Sequence, residues 1–536
     1  MDCDDKVKKI LGMKLFDPRI KHHISLHDYM ALTVKRMHVI FQEDLINNDM
    51  WLGQAKQSRF DELCQNIAIF GAFDVSLSIS IVAHLIAGNV VFTQSDTTQM
   101  NKYHNEIINL HHIYSFCCTE IACGTNLHNI ETTVTYVHSQ KRLFLHSPTP
   151  ESCKFWVGNA LYAATVGMVL ARLIVNGCDE GIHWFRVPLR DKEYGTLFSG
   201  ISVMSCGPKG GIHGSQFAGI RFNQVSLPLD AMMKRYSSIS SQGTFLSQHS
   251  KPQRFAKAFE TFLQERIFPL SGGSLCASVA LYITFKFSQH RAITLEPNYQ
   301  TLLMQPLFYQ RLYPELLKAF SLRILNNIII GRFKKNWDNE SAHNELKILA
   351  SAGKYIGSSL GLDILRKCRM MCGALGYHHY NQIISIQNDC EANITFAGDN
   401  SVMSYQIASY LVQLNKFENQ NIAPTNIAQI LEKKIVANCQ KRKFTHTEAQ
   451  VLSYAYALDL IIQEIQQKNI LDNEILQELC NSFSHYLSDT TASYFLNPTI
   501  EKINYLIKIL APPSELITAP IVNSGYAKQF TSDIYK

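Results

Sequence analysis

Two short segments contain a glycine, one of them between hydroxyl side chains, and together they could hold a flat ligand with a polar edge. In the first segment Gly124 stands between Thr119 and Thr125, and in the second Gly158 ends the string KFWVG at 154–158. Threonine hydroxyls both donate and accept hydrogen bonds, and glycine lets the backbone approach a ligand closely. Each glycine taken alone is more often only part of a turn. Whether these two segments bind such a ligand therefore depends on the secondary-structure elements that position them.

The chain changes from helical to strand patterns and back in an order that would position these segments. Up to about residue 115, apolar side chains recur every three or four positions, as through 27–46 and 60–87, which predicts helices. From about 118 to 235, runs rich in threonine, valine and isoleucine alternate with turn clusters, which predicts strands. Helical periodicity then returns and continues to about 510, with a polar segment at 415–430 as a candidate linker.

Composition and charge indicate a folded, multidomain protein. The 536 residues are too many for one compact core and predict three or four domains. Hydrophobic residues make up 46% and charged residues 18%, which is typical of globular chains rather than disordered ones. The net charge of +6 is small for this length and no long Lys/Arg block occurs, so no nucleic-acid partner is expected.

Several absences shape the expectations on metals, membranes and location. The 14 cysteines lack the paired C-x-x-C spacing of a zinc site, which predicts no metal and favours buried, reduced thiols. The acidic N-terminus lacks an apolar signal segment. The longest apolar run, 157–175, is interrupted by Asn159 and Arg172, so no membrane span is expected. The last residues are not a peroxisomal S-K-L address. These observations together predict a cytoplasmic location.

Five blocks in a fixed order carry a resemblance to a known family. The blocks are CTEIACGTN at 118–126, ETTVTY at 131–136, KFWVG at 154–158, GPK at 207–209 with FNQV at 222–225, and CGALGY at 372–377. From about residue 117 to 411 the chain resembles the acyl-CoA oxidase branch of the acyl-CoA dehydrogenase superfamily. Any one block is weak, but five in the right order and spacing are specific.

The resemblance implies a fold, a cofactor and a reaction. The implied fold is mixed α and β: an N-terminal helical domain (1–116), a central antiparallel β domain (117–236), a four-helix-bundle domain (237–412) and a further C-terminal helical domain (413–536). The implied activity is FAD-dependent oxidation of fatty acyl-CoA to 2-enoyl-CoA with reduction of O₂ to H₂O₂, in a homodimer. The residues that match the family's cofactor contacts are Thr119, Gly124, Thr125, Gly158, Arg291, Gly373, Gly376 and Gln406.

Position 397 departs from the family pattern at its catalytic residue. The string ITFAGDNSVM at 394–403 resembles the signature that carries the family's glutamate, the base that removes the substrate's α-proton, but Ala397 stands in its place. A methyl group cannot accept a proton. Loss of a general base costs roughly 10²–10⁴-fold in rate, and Asp399 is a poor substitute because the family has an acidic residue there as well.

Glu265 is the candidate for a relocated base. A related branch of the superfamily keeps its base on another helix, within a Glu-Arg pair followed six residues later by Gly, and this chain has Glu265-Arg266 with Gly272. The spacing from Arg266 to Arg291 also matches. The alternative is that Glu265 is an exposed helix residue, since glutamate is a common helix former. Pro269 is expected to interrupt that helix.

Ala397 is also compatible with three origins that need no relocated base. The alanine could be an introduced Glu→Ala exchange, a natural change that leaves a catalytically silent flavoprotein or acyl-CoA-binding protein, or a mark of different flavin chemistry. A dehydrogenase that passes electrons to a partner flavoprotein is the closest competitor to the oxidase.

Overall fold

In the computed structural model, the described residues are 5–52, 59–259, 262–294, 298–413, 445–487 and 498–527. They form two compact units. The β-containing unit comprises Met13–Asn66 and Val75–Glu265, and the helical unit comprises Met1–Gly12, Ile67–Asp74 and Arg266–Lys536. The division into four domains stays a prediction. The candidate linker at 415–430 lies outside the described residues.

The β-containing unit is built around a six-stranded sheet and a three-stranded sheet. The long strand β5 pairs in parallel with β1 and then β2 and in antiparallel with β6, and β3 and β9 continue the sheet beyond β2. In the second sheet β8 lies between β4 and β7. The strands are β1 Tyr114–Cys117, β2 Thr133–Val137, β3 Arg142–His146, β4 Lys154–Val157, β5 Val166–Val175, β6 Cys178–Pro188, β7 Ile201–Ser205, β8 Ala218–Phe222, β9 Val225–Pro228, β10 Ser238–Ile239 and β11 Phe245–Leu246.

Helices in the same unit cover the sheet with apolar faces. Val90, Tyr114, Met168, Trp184 and Ala258 belong to one buried cluster that joins these helices to β1, β5 and β6. Burial of such side chains is the main stabilising contribution, at about 25 cal/mol per Å² of apolar surface. The helices of this unit are α2 Leu26–Gln42, α3 Phe60–Phe73, α4 Val75–Gln94, α5 Thr97–Ile108 and α6 Lys251–Phe259. The residues of α3 are divided between this unit and the helical unit.

The helical unit consists mainly of long helices, with one short ribbon of β12 Ala292–Thr294 and β13 Gln300–Thr301. Pro306 and Pro269 stand in the first turns of two of these helices, where proline's missing N–H costs nothing. The helices are α1 Asp5–Leu11, α7 Phe268–His290, α8 Pro306–Asn336, α9 His343–Met371, α10 Ile383–Cys390, α11 Asn400–Gln413, α12 His446–Lys468, α13 Asn473–Ser482, α14 Ser484–Leu487 and α15 Ile500–Leu510.

Glycines bring α7 and α9 into close contact. A Cβ added to Gly357 of α9 would meet the Cα of Leu270, and a Cβ on Gly273 of α7 would meet the carbonyl oxygen of Gly357. Gly361 continues the same contact one turn further along α9, where an added Cβ would lie 3.1 Å from the carbonyl oxygen of Gly273. This packing fixes the start of α7 beside the middle of α9.

The predicted fold class is confirmed, with one correction to the sheet. The large sheet is not wholly antiparallel, because β5 is long enough to pair with the short parallel strands β1 and β2 in succession. The interrupted apolar run at 157–175 forms no helix: turns follow the end of β4, and strand β5 occupies 166–175. Among the described residues, the helical stretches Val75–Gln94 and Glu265–His290 have the length and hydropathy of membrane spans (1.9 and 1.5), but 78% and 83% of those windows are buried, as in core helices.

Candidate active site

The loop that follows β1 is held open by pairing with β4. The carbonyl oxygen of Thr119 accepts a hydrogen bond from the amide of Phe155 at 2.9 Å, and the amide of Ile121 donates to the carbonyl oxygen of Cys153 at 3.1 Å. Thr119 is half-buried and Thr125 is exposed. Gly124 adopts φ +47° with no atom within 4 Å of the place a Cβ would take. The loop therefore presents hydroxyls and open backbone together.

A buried ion pair between Lys154 and Glu120 stabilises this loop. The Nζ of Lys154 lies 2.9 Å from the Oε1 of Glu120, and it also donates to the carbonyl oxygen of Cys118 at 3.0 Å. The Glu120 carboxylate accepts the backbone N–H groups of Glu131 and Thr132 at 2.8 and 3.0 Å. Since the carboxylate and ammonium are both paired and hydrogen-bonded, their burial is compensated.

The strand β4 ends at an exposed indole ring and a buried glycine. Trp156 has φ +59° and is 48% exposed, and its ring edges meet Phe155 and Phe217 at centroid distances of 5.5 and 6.0 Å. Gly158 is buried against α4, where an added Cβ would lie 2.8 Å from the Cβ of Ala83. Close packing within the protein thus accounts for the glycine at 158, and the exposed aromatic surface is that of Trp156.

Glu265 is buried rather than exposed. Its side chain lies in the short 3₁₀ turn Glu265–Ile267 that leads into α7, and the residue is only 7% exposed. Burial raises the pKa of the Cys118 thiol, and the nearby charge of Glu265 contributes to that rise. The carboxylate is therefore within electrostatic reach of the residue that precedes Thr119. Pro269 was expected to interrupt this helix, but it does not, because it occupies the first turn of α7.

Arg266, the next residue, reaches toward the signature at 394–403. Its Nη2 would lie 3.9 Å from a Cβ on Gly398, and its Nη1 donates to the hydroxyl of Ser351 at 3.4 Å. The Ser351 hydroxyl also contacts the Oε1 of Gln406 at 3.3 Å. Gln406 is otherwise exposed on α11. Of the predicted residues, Gln406 is thus linked through Ser351 to the residue that follows Glu265.

The turn before α11 places position 397 in an unusual backbone conformation. Ala397 has φ +57° and Gly398 has φ +101°, whereas non-glycine residues rarely adopt positive φ. Asp399 accepts a hydrogen bond from the amide of Ser401 at 2.8 Å and so caps α11. This capping role explains the presence of an aspartate at 399 without any part in proton transfer.

The remaining predicted cofactor residues lie at the ends of helices in the helical unit. Arg291 follows α7, is exposed, and donates from Nη1 to the hydroxyl of Tyr526 at 3.2 Å. Gly373 follows α9 with φ +61° and open space around it. A Cβ on Gly376 would collide with the carbonyl oxygen of Arg369, so glycine is required there for packing.

Sequence reasoning missed Lys354, which lies beside the same turn. It is fully buried on α9, and its Nζ donates to the carbonyl oxygen of Ile394 at 2.8 Å and to the Oδ1 of Asn400 at 2.6 Å. Nothing in the string KYIGSSLG at 354–361 distinguishes this lysine from one on a solvated helix face, apart from the small residues that follow it.

Comparison with known proteins finds similarity to acyl-CoA oxidases. The family model of the acyl-CoA oxidase C-alpha1 domain matches residues 259–412, which include Glu265, Lys354 and Ala397. Human peroxisomal acyl-coenzyme A oxidase 3 is 28% identical over 407 residues, covering 73% of this chain. Mouse peroxisomal acyl-coenzyme A oxidase 1 is 29% identical over 335 residues, covering 60% of this chain. The chain is therefore similar to acyl-CoA oxidases, and its residues 259–412 match the C-alpha1 domain of that family.

Solved acyl-CoA oxidases share the fold of this chain. The structure of acyl-CoA oxidase-1 from Caenorhabditis elegans, complexed with FAD and ATP, matches with a TM-score of 0.78 and 17% identity over 99% of this chain and 89% of the other. Acyl-CoA oxidase 1 from Yarrowia lipolytica matches with a TM-score of 0.79 and 17% identity over 99% and 90%.

The relatives also correct the predicted location. The chain spans little more than half the length of the curated relatives it matches, 57% of the human oxidase and 50% of the mouse one. Relatives from human, mouse and Arabidopsis thaliana are named as peroxisomal, so the prediction of a cytoplasmic location is wrong. That prediction relied on both termini of the sequence and on the lack of an apolar span, and the termini are no guide to the location because the sequence matches only part of each relative.

Proposed function

We propose that this protein is an FAD-dependent acyl-CoA oxidase that removes hydrogen from Cα and Cβ of a fatty acyl-CoA and reduces O₂ to H₂O₂. The proposal is supported by the match of residues 259–412 to the acyl-CoA oxidase C-alpha1 domain, by relatives named as acyl-CoA oxidases, and by a fold shared with an oxidase crystallised with FAD. It includes a homodimer, as the resemblance implies, and a peroxisomal location like that of the named relatives.

The residues of the β-containing unit fit a flavin. An exposed indole at Trp156 offers an apolar face for a ring, and the hydroxyls of Thr119 and Thr125 offer donors and acceptors for its polar edge. Open space at Gly124 leaves its backbone accessible. For the helical unit, the resemblance assigns the Arg291 guanidinium to the cofactor's phosphates. FAD, when bound, supplies the two-electron acceptor that this reaction needs and that no side chain can provide.

Glu265 is proposed as the base that takes the α-proton. The observation that carries this assignment is the burial of its carboxylate beside Cys118, next to the loop that holds Thr119. Burial of a carboxylate shifts its pKa toward the working pH, which suits a general base, and the proposal requires the acyl-CoA α-carbon to bind within hydrogen-bond reach of Glu265.

Anaerobic titration with acyl-CoAs of different chain lengths tests the proposal. The chain should lose its visible flavin absorbance on mixing with a suitable acyl-CoA. Glu265→Gln, which keeps the size but removes the base, should slow that bleaching by roughly 10²–10⁴-fold. Glu193→Gln, an exposed residue in the same unit, is the matched control and should bleach at the original rate. Bleaching that is unchanged in Glu265→Gln would remove Glu265 from the mechanism.

A catalytically silent flavoprotein is the second candidate, and Ala397 is the observation that favours it. A protein that binds FAD and acyl-CoA but never bleaches would support this candidate.

Stopped-flow mixing of the bleached protein with air-saturated buffer separates an oxidase from a dehydrogenase. Rapid recovery of colour with stoichiometric H₂O₂ indicates an oxidase, and slow recovery indicates a dehydrogenase that needs a partner flavoprotein.

A further inference from the structure

One buried amine contacts both ends of the turn that carries position 397. The Lys354 Nζ donates to the carbonyl oxygen of Ile394 at the start of the turn and to the side-chain oxygen of Asn400 at its end, at 2.8 and 2.6 Å. Ala397 lies midway between these anchors with its left-handed φ of +57°. A backbone that adopts this conformation without glycine must be held by its surroundings.

Asn400 extends the anchor to a second place on α9. Its Nδ2 donates to the hydroxyls of Ser358 and Ser359 at 3.0 and 2.9 Å, one turn beyond Lys354. The amide side chain therefore accepts from the lysine and donates to the serines at once. Because α9 is locked against α7 through Gly357, these contacts connect the turn to a rigid element.

We propose that Lys354 is the positioning residue of position 397, holding the 394–400 turn through its two hydrogen bonds. Whichever side chain stands at 397 takes its direction from this turn. A glutamate there, as the family signature has, would be aimed by Lys354 without touching it. The consequence for catalysis rests on the proposed function, whereas the anchoring of the turn does not.

The protonation of Lys354 gives this anchor a distinctive pH dependence. Burial lowers its pKa, Asp399 opposes that change and Arg266 adds to it, and the result is a pKa of about 7. These are the charged groups that act on it among the described residues. A neutral amine keeps two N–H donors, enough for both contacts. When the turn opens, the amine meets water and regains its ordinary pKa near 10.5.

The sign of the effect follows from linkage. Above about pH 7 the closed turn holds a neutral amine while the open turn binds a proton, so opening becomes less favourable as pH rises, by up to tenfold per pH unit. Below pH 7 both states are protonated and the opening equilibrium is independent of pH. A lysine whose surroundings do not change when the turn opens would give no such slope.

Amide hydrogen exchange of the full chain, measured by mass spectrometry on a peptide that covers 394–400 and corrected for intrinsic rates, tests the proposal between pH 6 and 9. Protection should rise above pH 7. Lys354→Met should lower protection at least tenfold at pH 8 and abolish the slope. Lys347→Met, an exposed lysine on the same helix, should match the original chain. An unchanged slope in Lys354→Met, or no slope in the original chain, would overturn the proposal.

Asn400→Asp keeps the test decisive if Lys354→Met does not fold. A carboxylate beside the amine should raise the pKa of Lys354 and move the start of the slope upward by at least one pH unit, whereas a purely structural role predicts no movement. Exchange does not require flavin turnover, so these results stay readable whether or not the oxidase proposal holds. If both hold, Lys354→Met should also remove any activity gained by a glutamate at 397.

Discussion

Lys154 and Glu120 form an ion pair of 2.9 Å in which the two side chains are 0% and 1% exposed. Removing one partner of such a pair leaves a buried charge without compensation, which costs about 3–5 kcal/mol. Lys154→Met should therefore lower the free energy of unfolding by about that amount, as measured by urea denaturation.

The same pair predicts the behaviour of the double variant and of the loop above it. Lys154→Met combined with Glu120→Gln leaves no uncompensated charge and should be less destabilised than Lys154→Met alone. Because Lys154 also holds the carbonyl of Cys118, flavin affinity should fall in both variants through the loop at Thr119. Equal destabilisation of the single and double variants would mean that the charge balance is not what stabilises this loop.

Ala397 gives a gain-of-function prediction. Replacing it with glutamate adds no backbone penalty, since neither residue is glycine and both must adopt φ +57°. In the Glu265→Gln background, Ala397→Glu should raise the rate of anaerobic flavin bleaching by roughly 10–100-fold, because a base has been returned to the family's position. Ala397→Gln in the same background has the same size without a base and should give no gain. A gain from the glutamine variant would contradict proton transfer as the cause.

The sequence predicted elements and blocks better than it predicted the direction of single side chains. The strand-rich middle, the flanking helices and the loop at Thr119 followed from periodicity and ordered motifs, which are local properties. Pro269 was misinterpreted because proline ends a helix or opens one, and the choice depends on where α7 packs against α9. The burial of Lys354 depends on contacts with residues about 40 positions away, which no local pattern contains.

Two aspartates in the helical unit should respond to acid in opposite ways. Burial alone would raise the pKa of Asp363, but Lys318, Lys367 and Tyr486 outweigh it and hold that pKa at about 2. Burial raises the pKa of Asp459 instead. Asp363 therefore contributes stability above its ordinary pKa of 3.8, and that stability is lost as pH falls toward 2. Asp459 costs stability while it is ionised, and the cost disappears on protonation.

Asn substitutions convert this contrast into a measurement. Asp363→Asn should destabilise the chain by about 1–2 kcal/mol at pH 6, with the difference shrinking as pH falls from 5 to 2.5. Asp459→Asn should instead gain stability relative to the original chain at pH 6, and this gain should vanish in acid. Urea denaturation across the pH series measures both. Parallel pH trends in the two variants would contradict the opposite environments of these carboxylates.

Glycine-to-alanine exchanges on two neighbouring helices should change the stability of the chain in opposite directions. A Cβ at Gly357 would collide with the Cα of Leu270 and lie 2.9 Å from its Cβ, so Gly357→Ala must push α7 and α9 apart and should destabilise the chain by about 1–3 kcal/mol. Gly331 on α8 is exposed and has nothing within 4 Å of its added Cβ, so Gly331→Ala should stabilise it by about 0.5–1 kcal/mol through helix propensity. Thermal denaturation of the two variants gives the comparison. If both exchanges raise the melting temperature, α7 and α9 are not in the close contact that positions Arg266 and Lys354.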